Sequence, residues 1–487
     1  MKLDPLSIPY RIVENGSRLL GFLAIGFVTS SGGTSGPGPL LIVGFLLLGI
    51  VASALWELAR YERYSYELTD DTVDIGSGVL SRREREIPYE RIQNVDIAQN
   101  VVQRVLDIAE VRMETAGGSS TEATLKYVSR PEADRLQEEI SRRKRGATPG
   151  EAEESEEPAT ELFTLEPREL AILGIVSADL RLLGLLSVGL SAFAPRLATE
   201  LGPRYDLVSF VGPAIALVGI ALFWVASAVL TVFRYYGFRL SQQGDELRYE
   251  RGLLQRYSGT IPLSKVQTLT VRENVLARRL GYASLVVQTA GYAPGQDGSS
   301  VESAVPIAER ERLLELARAV EPFEDVSFTR PPKRARTRYV VRYALALLAV
   351  VGALGAVDAV TGWLPLWYGG LIGLLAVPLA AHLAWLNRGF YRDDEYVVTR
   401  NGFWRRRIMI VPYDRVQTVA SSQTVFQRRR DLGSVVVDTA GSGGLGGGDA
   451  AAVDIDAEVA ETLREEVAAR FHRAISQRRA RRSGTGD

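Results

Sequence analysis

Few side chains in this sequence are equipped for chemistry. No cysteine occurs among its 487 residues, so disulfides, thiolate nucleophiles and Cys-type metal sites are excluded. His382 ends an apolar run and His472 lies in a helical pattern near the C-terminus. Both read as structural or solvated residues, and a His-dependent triad or metal cluster is not expected. The carboxylate pairs Asp70–Asp71 and Asp393–Asp394 stand at strand starts and read as turn residues. "GSGGLG", Gly441–Gly446, has the spacing of a dinucleotide fingerprint, but "GGDAAAVDI" follows where a helix is needed. It reads as a glycine-rich hairpin loop. No phosphate-binding Gly-Lys-Ser/Thr is present. The reading is a protein without a cofactor or metal, and not an enzyme.

Cationic clusters carry more information. "SRRERE" holds Arg82, Arg83 and Arg85, and "WRRRIM" holds Arg405, Arg406 and Arg407. Each lies on a strand that follows a glycine turn. Alternate residues on a strand share a face, so Arg83 and Arg85 point one way, as do Arg405 and Arg407. Beside an anionic leaflet each such charge is worth about 1 kcal/mol, which makes the six arginines candidate lipid or partner contacts. "QRRRD" and "RRKR" add charge on helices. The net charge of −1 gives no global field for nucleic acid. Arginine far outnumbers lysine, five of the 57 basic residues being Lys. That bias points to the composition of a GC-rich prokaryotic genome.

These clusters are held by a unit written three times. "IPYERIQNVDIAQNVVQRVLDIAEVRMETAG" from Ile87, "IPLSKVQTLTVRENVLARRLGYASLVVQTAG" from Ile261 and "VPYDRVQTVASSQTVFQRRRDLGSVVVDTAG" from Val411 align without a gap. Pro88, Pro262 and Pro412 match, as do Gln93, Gln267 and Gln417, and Arg104, Arg278 and Arg428. Gly78, Gly252 and Gly402 precede the three prolines at one spacing. Fixed spacing at this many positions marks internal repeats. Each copy reads as a hairpin, a strand, a short helix, a β-rich run closed by Thr-Ala-Gly, a variable loop, another strand and a helix.

Apolar runs come in pairs: Leu19–Val28 with Leu40–Trp56, Leu170–Ala194 with Val208–Phe233, and Tyr343–Val360 with Leu364–Leu386. About 20 helical residues cross a bilayer core, so three helical hairpins and about six spans are expected. Arginines flank the first and third pairs, among them Arg11, Arg338 and Arg388, and place both termini and all three repeats in the cytoplasm. Asp179 and Arg181 interrupt the third run. They read either as part of an interfacial stretch or as an intramembrane polar site, since a charge at the bilayer centre costs about 2.5–3.5 kcal/mol.

The order of strands that curl into a small barrel before a closing helix resembles a pleckstrin-homology-like domain. With the membrane hairpin and the "IP…IQ…V…R…TAG" pattern, and with "LDPLSIPYR" at the start, the chain resembles the YdbS/YdbT-type bacterial PH-like membrane proteins, in the manner of a larger, three-repeat YdbT-type member. The resemblance covers nearly the whole chain. It implies a multi-pass α-helical membrane protein with three small β-rich PH-like domains, each closed by a C-terminal helix. It departs from the pattern after the short helix, where Asp107 and Asp431 stand in place of the glycine kept as Gly281.

The expected order is the N-terminus and first hairpin at 1–60, repeat one at 61–145 and an acidic linker at 146–165. The second hairpin follows at 166–234, repeat two at 235–325, the third hairpin at 326–387, repeat three at 388–475 and a disordered tail at 476–487. The resemblance implies binding of a partner protein or anionic head groups in the cell membrane, in envelope maintenance. The bilayer is one partner and a smaller, YdbS-type PH-like membrane protein another, with the oligomeric state left open. The alternative is a lipid- or solute-handling bundle that uses Asp179 and Arg181.

Overall fold

The computed structural model describes residues 2–11, 39–115, 123–144, 159–177, 205–289, 303–361, 367–440 and 449–483. The expectations for Leu19–Val28, Asp179, Arg181 and Gly441–Gly446 lie outside them.

In the first repeat, β1 (Ser65–Leu68), β2 (Thr72–Ser77) and β3 (Arg83–Pro88) form a meander, followed by β4 (Ile92–Gln99), a short helix Val101–Val105, β5 (Ile108–Thr115), β6 (Ala123–Ser129) and a helix Arg130–Lys144. A further strand, β7 (Thr160–Thr164), lies at the end of the acidic segment. The second repeat gives β8 (Arg239–Gln243), β9 (Glu246–Arg251), β10 (Arg256–Pro262), β11 (Val266–Asn274), the short helix Val275–Leu280, β12 (Tyr282–Thr289), β13 (Ser303–Glu309) and the helix Arg310–Val320. The third gives β14 (Gly389–Arg392), β15 (Tyr396–Asn401), β16 (Arg405–Pro412), β17 (Val416–Ser422), the short helix Val425–Arg428, β18 (Leu432–Thr439), β19 (Ala450–Asp456) and the helix Ala457–Ser483.

The matched residues recur for local reasons. A Cβ on Gly78 would lie 1.9 Å from the carbonyl oxygen of Ser81, and one on Gly402 would lie 2.3 Å from that of Arg405. Both glycines have positive φ, so only glycine fits the turn. The ladder irregularity in each copy falls at the matched glutamine, between Ile92 and Asn94, Val266 and Thr268, and Val416 and Thr418. The Thr of Thr-Ala-Gly ends a strand opposite the same partner position, as Ile92↔Thr115, Val266↔Thr289 and Val416↔Thr439. Asp107, Gly281 and Asp431 all have positive φ. The departure from glycine therefore leaves the backbone unchanged, aspartate being among the residues that tolerate this region.

The repeats are not self-contained sheets. The ladders run β1-β2-β3, then β6-β5-β4-β10-β9-β8, then β13-β12-β11-β16-β15-β14, then β17-β18-β19. The first three strands of repeat two thus continue the sheet of repeat one, and those of repeat three continue the sheet of repeat two. The chain forms two compact units, Met1–Glu161 with Tyr236–Pro262, and Leu162–Tyr235 with Leu263–Asp487. The division cuts the second repeat after the matched Pro262. The three expected β-rich repeats are present, with the strand ladder of each continued by the first strands of the next.

In the first unit, one core joins Leu3 of the N-terminal segment to Ile97 and Met113 of the sheet and to Leu136 and Ile140 of the closing helix. Arg11 forms a buried ion pair with Glu57 at 3.3 Å and lies over the Tyr127 ring. In the second unit, a core gathers Val397, Met409, Val437, Ile455 and Leu463. A smaller cluster seats Leu432 of β18 against Ala335, Tyr339, Ala381 and Ala384 of the apolar helices.

Three helices among the described residues are long and apolar enough to cross a membrane: Val218–Tyr235, Lys333–Val360 and Trp367–Leu386. Six were expected. The helix Pro39–Glu62 covers the second arm of the first pair. Of Leu170–Ala194 the described part is a ten-residue helix, Pro167–Val176. In the third pair Gly370 approaches Val351 and Gly373 approaches Leu347. Two further boundaries move. Thr160–Thr164 is strand and not linker, with Phe163 buried. The last helix continues to Ser483, beyond the expected start of the tail.

Candidate functional site: a basic sheet face beside an apolar rim

The six arginines divide by strand alternation and by what lies across the ladder. In repeat three, β16 pairs with β11 from Leu269↔Ile410 to Asn274↔Arg405, with Glu273 opposite Arg406 and Arg272 opposite Arg407. Arg406 turns to the face of Glu273, whose side chain is 1% exposed. Glu273 accepts hydrogen bonds from Arg406 and from Arg310, the latter at 3.1 Å. Arg406 is thus held inside the strand pairing, while Arg405 and Arg407 are exposed on the other face.

Those two arginines have a neighbour that sequence patterning missed. Arg272 lies on their face, and burial together with the charges of Arg407 and Arg405 pulls its guanidinium down to about 10. Its Nε is buried without a hydrogen-bond partner. Directly opposed like charges are unfavourable across a ladder, so three guanidiniums on one face form a concentrated positive site. No motif signals Arg272, because its company arises from pairing with a strand of the next repeat.

In repeat one, Arg82, Arg83 and Arg85 are all exposed. Arg83 is opposite Ser77 and Arg85 opposite Ile75 on β2, which places these two on a common face.

An apolar rim adjoins the arginines. Trp404, at the turn before β16, is 74% exposed, and Leu276 and Leu280 of the short helix of repeat two are 45% and 55% exposed. Arg278 joins the two features, since its Nη1 donates to the carbonyl of Phe403 at 3.3 Å and its guanidinium lies 5.5 Å from the Phe403 ring. The first unit repeats the device. Arg104 donates to the carbonyl of Leu253 at 2.7 Å, beside the exposed Leu254, Val102 and Val105. The matched arginines of the first two short helices, Arg104 and Arg278, therefore clasp the turn of the following repeat. Gly252 donates its N–H to the carbonyl of Tyr236, one residue past the span that ends at Tyr235. Asn274 Nδ2 donates to the carbonyl of Val176 at 2.9 Å.

Arg338 and Arg388, read from sequence as topology charges, converge on Asp454, which is fully buried and also accepts from Gln427. Asp393 caps a turn through Oδ1, which accepts from the backbone of Glu395 and Tyr396, in agreement with its reading as a turn residue. His382 stacks on Trp385. Among the described residues no group of His, Cys, Asp and Glu is arranged to hold a metal.

Comparison with known proteins agrees with the repeats. A family model described as Bacterial PH domain matches residues 19–144, 185–322 and 344–471. The chain is 25% identical over 422 residues to the UPF0699 transmembrane protein YdbT of Bacillus subtilis (strain 168), covering 80% of this chain and 82% of that protein. It is 31% identical over 98 residues to the UPF0699 transmembrane protein YdbS of the same organism, covering 20% of this chain and 60% of that protein.

Proposed function

Because the chain belongs to the Bacterial PH domain family, we propose that it is a non-enzymatic integral membrane protein whose repeats, on the cytoplasmic side, hold anionic lipid head groups against the rim just described, in maintenance of the envelope. The observation that carries this reading is the gathering of Arg272, Arg405 and Arg407 on one sheet face beside the exposed Trp404. Guanidiniums bind phosphate oxygens through charge-assisted, often bidentate hydrogen bonds. Tryptophan favours the membrane–water interface, where its amphipathic ring sits at head-group level. A head group that bridges the three arginines offsets the burial, and the repulsion from Arg407 and Arg405, that hold Arg272 at a lowered pKa. Arg82, Arg83 and Arg85 supply a second, more diffuse attraction to the leaflet. A smaller PH-like membrane protein of the YdbS kind is the protein partner this reading favours, given the likeness between the two.

The full chain, purified in mild detergent and analysed by native mass spectrometry with added anionic phospholipid, tests the proposal. Arg405→Gln with Arg407→Gln should cut retention of anionic lipid several-fold and leave zwitterionic lipid retention unchanged. Arg406→Gln should lower thermal stability and leave lipid retention near wild type. Equal lipid loss in both variants, or none in either, would make a protein partner the better account of these residues.

A further inference from the structure

Among the described residues, the two strand pairings between repeats leave one edge of β17 and one edge of β3 without a partner strand. β17 holds the place that β4 and β11 hold in the first two repeats, yet no described strand pairs with its outer edge. β4 is buried from Val95 to Gln99 and β11 from Val266 to Val271, whereas Gln417, Thr418, Ala420, Ser421 and Ser422 of β17 are exposed. Arg428, the counterpart of Arg104 and Arg278, is exposed as well.

The complementary half is in repeat one. β3 is the counterpart of β10 and β16, its outer edge has no described partner strand, and Arg83 through Glu86 are exposed along it. Leu80 at the tip is 90% exposed. Arg82 holds the position of Arg256 and Arg406, counted from the turn glycines Gly78, Gly252 and Gly402.

The two internal pairings share one register. Arg256 is opposite Gln99 and Arg406 is opposite Glu273, and one residue on, Tyr257 is opposite Ala98 and Arg407 opposite Arg272. Carried to the free edges, this register sets Arg82 opposite Gln423 and Arg83 opposite Ser422. Gln423 repeats the acceptor type of Gln99. The charges of β3 are no bar, because β16 pairs with β11 through Arg405, Arg406 and Arg407 in succession.

We propose that the β1–β3 meander of a second copy of this chain docks on the free edge of β17, head to tail, in the register of the internal pairings. Arg428 then donates to the carbonyl of the second copy's Val79, the counterpart of Leu253 and Phe403. Main-chain hydrogen bonds supply the affinity, as in other strand additions. Donor and acceptor edges differ, so the contact is heterologous and repeats from copy to copy.

Absence of native cysteine lets the register be read directly. Two differently tagged full-length copies, one carrying Arg83→Cys and the other Ser422→Cys, are co-expressed and oxidised in isolated membranes. Directly opposed strand residues have Cα atoms about 4.5–5.5 Å apart, within disulfide range. The expected result is a band of two joined chains carrying both tags. Moving one cysteine to Glu84 turns it to the opposite face, and the band should be lost. All three positions are exposed, so folding is not at stake. No band for the 83/422 pair, equal bands for both pairs, or linkage of Ser422→Cys to a different, smaller protein would overturn the proposal.

Discussion

The pairing of β10 with β4 and that of β16 with β11 share a register and differ in electrostatics. At the first, the buried carboxyl of Asp96 accepts from Tyr249 at 3.3 Å and Asn94 at 2.9 Å. Burial pushes it up to about 6, against the pull of those hydrogen bonds and of Arg251 and Arg112. Gly259 makes the room, since a Cβ there would lie 2.2 Å from the Tyr249 hydroxyl and 2.4 Å from Asp96 Oδ1. At the second, Glu273 is more deeply buried than Asp96 but is met by two guanidiniums, Arg406 and Arg310. A carboxyl taken out of water either holds its proton more tightly or needs cations. Each pairing uses one of these solutions. The comparison teaches that the turn glycine, the bulge and the arginine clasp set how consecutive repeats join, while the buried polar contacts were free to diverge.

The largest effect should come from breaking the second pairing. Glu273→Ala leaves Arg406 partly buried with no carboxylate, and removal of one partner from a buried pair costs about 3–5 kcal/mol. Thermal unfolding of the purified chain should show a marked loss of stability. A shift no larger than that of a surface substitution would mean that the ion pair adds little to the pairing.

A smaller effect of opposite sign is expected at the first. Folded Asp96 keeps its proton up to about pH 6, whereas an unfolded aspartate releases it near 3.9. Its contribution to stability is therefore full below about pH 4 and lost as the pH rises through 6. Asp96→Asn should stabilise the chain at pH 7.5, by about 1–2 kcal/mol when partial compensation by the amide is allowed for. The gain should vanish in unfolding curves recorded toward pH 4. A pH-independent effect would show that the carboxyl is ionised in the fold.

The smallest effect sharpens the comparison across all three repeats. Arg104→Ala and Arg278→Ala each remove a partly solvated hydrogen bond to the next turn, and each should cost about 0.5–1 kcal/mol. Arg428→Ala should cost nothing in isolated chains, because among the described residues no turn of a further repeat lies on the outer edge of β17. Equal losses at all three positions would show that the arginine serves its own short helix and not the neighbouring turn.

Much of this molecule was legible in its residues. The alignment of three copies found the turn glycines, the closing Thr-Ala-Gly and the arginine of the short helix, and strand alternation placed Arg405 and Arg407 together. The role of Arg406 was not legible, because its partner Glu273 lies in another repeat, and neither was Arg272, which no local pattern marks. Arg338 and Arg388 looked like topology charges until Asp454 appeared between them. The acidic segment looked unstructured as far as Glu161, yet its last residues form β7, anchored by Phe163.

What the sequence determined alone is the repeated unit and the apolar helices, because turns, period-two alternation and hydrophobic run length act over a few residues. Only the tertiary structure decided where one sheet ends and the next begins. Strand edges carry backbone N–H and C=O groups that are alike in every repeat, and side-chain pattern does not say which edge they join. Here β4 and β11 each accept the strands of the following repeat, and the charges buried between them follow from that choice.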